Sequence, residues 1–448
     1  MLFERQSLVI LEKALQELEA GFELPALSHD YPYEAIERVL HSVVQRLRDN
    51  YPYFHPLYAG QMLKPPHPLA RAAYMLAMWI NPNNHALDGG RASSAMEKEV
   101  VRDLAAMFGW ETHLGHLTGG GTMANLEALW VSGQLHPGKL VVASEFAHYT
   151  HQRISGVLQL PFRKITGNAR GEMDLVALEL LLEEGQVGTV VVTLGATGTG
   201  AIDPLSDVLQ LQKRFGFRIH VDAAYGGYFG LADNLTPEAR RHFDSVSQAD
   251  SIVIDPHKHG LQPYGCGCVL FKDPAVSKFY LHDSPYTYYS SSDIHLGEIS
   301  LECSRPGAAA VGLWATHQLL PPVKGGVFAA DISTCRSAAL EFYDRLKADP
   351  RFLVFLEPQL DIVIWALPGQ CTSEMSAAAN RYFHEAENRH LYLSLFKYPA
   401  KYLAQMGIDV TVDSEYLTCL RSCLMKPEHG EWLEVIWGNA SGGGKVAR

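Results

Sequence analysis

Five short apolar, β-branched runs recur through the middle of the chain: KLVVAS (139–144), GTVVVTLG (188–195), FRIHVDAA (217–224), DSIVIDP (250–256) and CGCVLFK (266–272). Helix-like stretches such as MDLVALELLLEEG and PLSDVLQLQKRFG lie between several of them. A strand buried on both faces reads as a continuous apolar run, and strands that alternate with helices join in parallel. The rhythm therefore predicts an α/β chain whose mostly parallel sheet is covered by helices on both sides. In such sheets ligands sit beyond the carboxyl ends of the strands, so the residues that follow each run are where chemistry is expected.

A chain of 448 residues is long enough for two or three domains. Leu8, Leu11, Leu15 and Leu18 recur at helical spacing and predict an amphipathic helix that packs on its own protein or on a partner subunit. Residues 31–85 are rich in Tyr, Pro, His and Asn and read as extended, aromatic-lined connections around one helix, Leu69 to Trp79. SAMEKEVVRDLAAMFGW has helical periodicity with Gly109 as its stop. PPVKGGVFAA (321–330) reads as a hinge into a last region, where LDIVIWAL and EYLTCLRSCLMK predict a smaller sheet with helices. The expected division is a helical and extended segment over 1–85, a large domain over 86–320 and a small α+β domain over 321–448.

Charge narrows the partners. The net charge of −12 argues against nucleic acid or an anionic membrane surface and leaves small molecules. Glu4 and Arg5 precede a short apolar run that Glu12 and Lys13 interrupt, so no signal peptide is expected, and no apolar window of membrane-spanning length occurs. Seven cysteines, few and odd in number, fit a reduced, cytoplasmic setting; Cys266 and Cys268 alternate on one strand and read as buried core thiols.

Four features converge at the strand ends. Thr118-Gly119-Gly120-Gly121-Thr122 precedes the helical stretch MANLEALW. Glycines let amides approach an anion and a helix start adds its positive dipole end, so this is a phosphate cradle or else a plain structural turn; the pattern G-x-x-x-x-G-K-[ST] is absent. Asp222 ends FRIHVD, where a buried acid needs a cation or donors. Lys258 follows a later strand, between His257 and His259; in a partly desolvated pocket its amine becomes a nucleophile for an aldehyde. His148, in SEFAHYTHQR, offers a flat ring to cover a planar ligand. Pyridoxal 5′-phosphate satisfies all four: phosphate on the glycines, aldehyde on Lys258, ring nitrogen on Asp222, ring on His148.

TGGGTMANLEAL, SEFAHYTHQRIS, TLGATGTGAIDPL, HVDAAYGG and DPHKHG, in this order, resemble the motifs of the pyridoxal-phosphate-dependent group II amino acid decarboxylases. That family includes aromatic amino acid, glutamate, histidine and archaeal tyrosine/aspartate decarboxylases, with the sphingosine phosphate lyases as relatives. The resemblance runs from about residue 50 to the end. It implies the aspartate-aminotransferase (type I) fold of pyridoxal-phosphate-dependent transferases, with a seven-stranded sheet, a small C-terminal domain, and a homodimer that shares its active sites.

By position, the resemblance makes Lys258 the Schiff-base lysine, Asp222 the pyridinium partner, His148 the stacking residue and Ala224 the contact on the opposite ring face. It gives Gly120, Gly121, Thr122, Thr197 and His257 to the cofactor, and Arg305 and Gly307 of SRPG to its phosphate from the other subunit. Asp255 stands where many relatives have Asn, and it receives no phosphate role because a carboxylate there repels one. The stretch 282–298 matches a loop whose tyrosine returns a proton after loss of CO₂; Tyr286, Tyr288 and Tyr289 are alternatives, and a histidine such as His148 is another. His85 and Arg421 are implied substrate contacts, with a structural ion pair the other reading of Arg421.

The implied reaction is decarboxylation of an amino acid to its amine. Carbon–carbon lysis of a phosphorylated amino alcohol and oxidative decarboxylation are the rivals on the same scaffold. A metal-binding protein is a rival of another class, prompted by His113/His116, His148/His151 and His257/His259, but none of these sits in a zinc-site set and no metal is expected. The substrate stays open: Tyr53, Phe54, Tyr58 and Trp79 would suit an aromatic one or interface packing, and Arg91 and Arg305 leave an acidic one possible.

Overall fold

A computed structural model describes residues 5–25, 30–282 and 293–442 of the protein. Four helices come first: α1 (Arg5–Ala20), α2 (Tyr33–Leu47), α3 (Pro68–Ile80) and α4 (Arg91–Met107). The alternating part then runs β1 (Leu114–Thr118), α5 (Gly121–Leu135), β2 (Leu140–Ser144), α6 (Thr150–Val157), β3 (Phe162–Ile165), α7 (Leu175–Glu183), β4 (Val187–Thr193), α8 (Leu205–Phe215), β5 (Arg218–Asp222), α9 (Pro237–Asp244), β6 (Ser251–Ile254), β7 (Gly267–Phe271) and α10 (Ala308–Leu319). Beyond it lie α11 (Val327–Ala348), β8 (Leu353–Val354), β9 (Ile362–Ala366), α12 (Thr372–Asn388), β10 (Ser394–Pro399) and β11 (Tyr416–Cys423).

The first seven strands form one sheet in the order β1-β7-β6-β5-β4-β2-β3. Only β7 runs against its neighbours, pairing antiparallel with both β1 and β6. The other contacts are parallel, so β1, β2, β4, β5 and β6 all deliver their carboxyl ends to one edge. All five expected apolar runs are strands of this sheet. Two further strands, β1 and β3, carry weaker signals: β1 reads LGHLT, and β3 is an edge strand whose Arg163 and Lys164 are exposed. Edge strands carry such charges because an unpaired apolar edge invites aggregation.

Local chemistry sets the helix ends. Asp174 caps α7 by accepting from the amides of Val176 and Ala177. Gly216 closes α8 with φ +73°, a left-handed turn that suits a residue without Cβ. One continuous apolar core joins α4, the central strands, α8 and α9 to β9 and β11. The second sheet, β10-β11-β9-β8, is antiparallel throughout and rests on α11 and α12. Among the described residues no helix is long and apolar enough to cross a membrane.

The first helices stand out from this well-covered interior. Leu11 is the one buried residue of α1, and α2 buries none. Tyr33, Val39, Leu40 and Leu47 of α2, with Met78 and Trp79 of α3, are each more than half exposed.

Candidate active site

The five aligned strand ends open into one cavity lined by the glycine loop, His148, Thr193, Thr197, Asp222, Ala224, Tyr225, Asp255, His257 and Lys258, among others. Gly120 sits between β1 and α5 with φ +150°, a backbone conformation that a side chain rarely adopts. A Cβ on Gly121 would come within 2.7 Å of Asp255 Oδ2, so the loop is narrow because its residues are glycines. The first amides of a helix have no intrahelical acceptor, and those of Gly121, Thr122 and Met123 lie at the start of α5 in the cavity wall.

Asp222 is the last residue of β5, buried yet in the cavity wall. Its Oδ1 accepts the amide of Ala224 at 3.1 Å, and its Oδ2 lies 2.8 Å from His151 Nε2 and accepts from Asn125 Nδ2 at 3.4 Å. Burial alone would push this carboxyl up, but the contact with His151, helped by Lys258 and His220, holds it well below the usual range. Asp222 is therefore a buried anion facing a cavity.

Lys258 Nζ lies 2.9 Å from Asp255 Oδ2, in a turn that the bond from the Lys258 amide to the Asp255 carbonyl closes. Asp255, left without a phosphate role on charge grounds, is thus the ionic partner of the lysine, and its other oxygen has no partner among the described residues. His257 stacks on Tyr264 at 4.6 Å, and its Nδ1 accepts from the Cys266 amide at 3.3 Å. Burial, and then the nearby Lys258, lowers its basicity against the opposing pull of Asp255. His148 is half-buried, tilted against Tyr149 at 4.4 Å; burial lowers its basicity too, with Lys258 and His151 adding and Asp222 opposing.

Several expected site residues lie elsewhere. The side chain of Arg305 is buried against Glu97, with Nη1 2.7 Å from Glu97 Oε1 and also bonded to the Leu117 carbonyl. A buried cation needs a counter-charge, and Glu97 supplies it within the same chain. Gly307 packs on Asn84 and Ser93, where a Cβ would meet side-chain oxygens at 2.5 and 2.6 Å, and its amide donates to the Pro82 carbonyl. The carbonyl of His85 accepts the amide of Gly297. Arg305, Gly307 and His85 thus pin the segment around Asn83 and Asn84 and do not line the cavity among the described residues. The neighbouring Glu302 does approach it, accepting the Gly119 amide at 2.9 Å. Tyr286, Tyr288 and Tyr289 lie outside the described residues.

Arg421, on β11, is buried and makes only neutral contacts: the carbonyl of Thr197 at 2.8 Å, Gln61 Oε1 at 2.7 Å and Ser394 Oγ at 3.0 Å. No ion pair holds it among the described residues, in contrast to the structural-pair reading. Tyr51, Tyr53 and Tyr58 pack on one another and on Tyr392, away from the cavity. The side chain of Arg91 is exposed and pairs with Asp88 at 3.7 Å.

Contacts that the sequence gives no direct hint of complete the site. Tyr225, in the cavity wall, donates to Asp361 Oδ1 at 2.7 Å, and Asp361 Oδ2 lies 3.2 Å from Nε2 of His259, the neighbour of Lys258. His151, Asn125 and His220 form a polar layer beneath Asp222. No group of three or more His, Cys, Asp or Glu that could hold a metal ion occurs among the described residues.

A family model described as the pyridoxal-dependent decarboxylase conserved domain matches residues 127–367, more than half of the chain, and includes Asp222 and Lys258. The chain belongs to the pyridoxal-dependent decarboxylase family. Among curated relatives, an L-tyrosine decarboxylase of Enterococcus faecium is 28% identical, over 63% of this chain and 63% of its own length. An L-aspartate decarboxylase of Thermococcus kodakarensis is 27% identical, over 73% of this chain and 83% of its own length. The chain thus spans less than two thirds of the first of these relatives. Among solved structures, Oryza sativa TDC with PLP and tryptamine has a TM-score of 0.78 at 18% identity, covering 98% of this chain and 96% of that one. Mouse CSAD in apo form has a TM-score of 0.77 at 19% identity, covering 96% and 92%. These likenesses bear out the expected type I fold with its seven-stranded sheet. Pyridoxal phosphate is the cofactor of this family, and the narrow glycine loop, the buried Asp222 anion and the cavity-facing Lys258 fit it.

Proposed function

We propose that this protein is an amino acid decarboxylase that uses pyridoxal phosphate, releasing CO₂ and the amine. The observation that carries the reading is the meeting of Asp222, Lys258 and the Gly120–Thr122 helix start in one cavity. In this reading the amides of Gly121 and Thr122 would hold the phosphate, Ala224 and His148 would flank the ring, Asp222 would face the ring nitrogen, and Lys258 would supply the amine for the covalent link to the aldehyde. When bound, the cofactor supplies an electron-accepting ring that takes up the bonding electrons left behind by CO₂.

The chain's own groups prepare that step. Asp255 holds the Lys258 ammonium before the cofactor is loaded and fixes its position. Arg421, which has no ion pair among the described residues and donates to the carbonyl of the wall residue Thr197, would draw a substrate carboxylate to that side of the cavity. The returning proton comes from His148 or from one of Tyr286, Tyr288 and Tyr289, positions given by the resemblance.

We further propose a homodimer, with the apolar face of α2 and the end of α3 covered by a second copy; exposed apolar side chains in such numbers on these helices suit an interface. The large and small domains divide near residue 321, before α11. Seven free cysteines fit a reducing compartment.

The test is direct. Protein supplied with pyridoxal phosphate and reduced with borohydride should carry the cofactor mass on the peptide that contains Lys258, and Lys258→Ala should carry none. Twenty amino acids assayed for released CO₂ then define the substrate, and oxygen uptake in the same assay would identify oxidative chemistry instead. Wild-type protein that takes no tag at Lys258 defeats the reading.

A further inference from the structure

The carboxylate of Asp222 is the meeting point of buried polar side chains that the decarboxylation scheme leaves without a role. His151 Nε2 lies 2.8 Å from Asp222 Oδ2, and Asn125 Nδ2 reaches the same oxygen at 3.4 Å. Behind Asn125, its Oδ1 lies 2.8 Å from His220 Nε2, and His220 Nδ1 lies 2.9 Å from Ser251 Oγ. The chemistry of these groups fixes where the protons sit. Asn125 Oδ1 only accepts, so His220 donates from Nε2 and takes the Ser251 hydroxyl proton on Nδ1. Asn125 then presents its Nδ2 hydrogens to Asp222, and every hydrogen in the run points toward that carboxylate. His151 is fully buried, and its Nδ1 meets no partner among the described residues. A proton on Nδ1 would be stranded at a cost, so the ring carries its proton on Nε2, the nitrogen that faces Asp222.

We propose that His151 is a positioning residue: its Nε2–H holds Asp222 ionised and fixed in the cavity wall, and through Asp222 it keeps the ring nitrogen of bound pyridoxal phosphate protonated. The inference rests on the reading that pyridoxal phosphate binds in this cavity. A protonated ring nitrogen is what makes the ring an electron acceptor, so His151 acts on rate and not on substrate affinity. The ring also meets that of His220 edge-on at 6.4 Å, but the feature in use is one N–H aimed at one oxygen.

The experiment uses holoenzyme loaded with cofactor labelled with ¹⁵N in its ring. In wild type and in His151→Gln, which keeps an N–H donor, the label should resonate at the protonated position. In His151→Phe it should move toward the unprotonated position, with kcat lower by roughly ten- to a hundredfold and KM within about twofold, the loss expected for one hydrogen bond to a charged group. A His151→Phe holoenzyme with the wild-type resonance and kcat overturns the proposal, and so does a His151→Gln loss as large as that of His151→Phe. Should His151→Phe not fold, ¹⁵N-labelled histidine in the wild-type protein decides the matter: the His151 proton belongs on Nε2, and a proton on Nδ1 overturns the proposal. Wild-type protein that takes up no pyridoxal phosphate removes both this inference and the reading beneath it, whereas unchanged variants of a loaded enzyme remove this inference alone.

Discussion

Replacing Glu97 by alanine takes one carboxylate out of the interior and leaves three groups without their acceptor. Oε1 faces Arg305 Nη1 at 2.7 Å and accepts the Leu117 amide at 2.9 Å, while Oε2 accepts from Asn84 Nδ2 at 2.6 Å. Glu97 and Asn84 are 2% and 0% exposed, so water does not reach the vacated partners. Removing one member of a buried ion pair costs about 3–5 kcal/mol because the remaining charge is uncompensated. Each abandoned N–H adds about 1 kcal/mol or more. Arg305 keeps its bond to the Leu117 carbonyl, which holds the total near about 4 kcal/mol instead of the full sum. Urea unfolding followed by the fluorescence of the seven tryptophans should show a loss of that size. Pairing Glu97→Met with Arg305→Met should recover part of it, since a packed apolar pair needs no counter-charge. The reasoning is refuted if Glu97→Ala unfolds within about 1 kcal/mol of wild type, the range of an ordinary surface change. It is equally refuted if Arg305→Met leaves stability intact and weakens cofactor binding, because Arg305 would then serve the phosphate as the resemblance implied.

Other consequences are open to simple measurement. A Cβ at Gly226 would overlap the carbonyl of Leu194 at the end of β4, so Gly226→Ala should lower the unfolding midpoint by an overpacking cost of about 1–3 kcal/mol or more; an unchanged midpoint contradicts the packing. Burial pushes the Asp203 carboxyl up to about 7, so the folded state holds this proton more tightly than the unfolded chain does. Its contribution makes stability fall as pH rises from about 4 to about 7 and stay level above, and Asp203→Asn should flatten that part of a midpoint-against-pH curve. Val39→Glu with Leu40→Glu should give monomers in sedimentation if α2 carries the dimer contact, and an unchanged mass would rule that contact out. Cys303 is the exposed thiol of the described residues and should be alkylated first in the native protein, well before Cys266, whose burial pushes its thiol up.

The fold was legible wherever burial on both faces imposed an apolar run, which covers β2, β4, β5, β6 and β7. It was illegible at β1, whose Gly and His break the pattern, and at β3, whose charges mark an edge. The residues that line the cavity followed from two simple rules: ligands gather at strand ends, and Asp222, Lys258 and the glycines have distinct chemistry there. What holds those residues depends on contacts between distant parts of the chain. His151 is 71 positions from Asp222, and Asn125 is 97. One signal was available for the layer beneath: His220 is a polar side chain in the middle of a buried central strand, and such a residue needs partners. Arg305 shows a contact that its motif alone does not reveal: within this chain its Nη1 meets Glu97, 208 positions away in sequence and buried with it.

The wall of the cavity is fastened to the second sheet at two places, Thr197 to Arg421 and Tyr225 to Asp361, the latter touching His259 beside the lysine. Recombination between related genes therefore has a hidden constraint. A hybrid that takes its C-terminal third from another member inherits whatever that member has opposite these two anchors, and a mismatch would displace Lys258 even though every residue of the first sheet had been retained. Libraries that exchange this part of the chain should carry Tyr225, Asp361 and Arg421 as a single block.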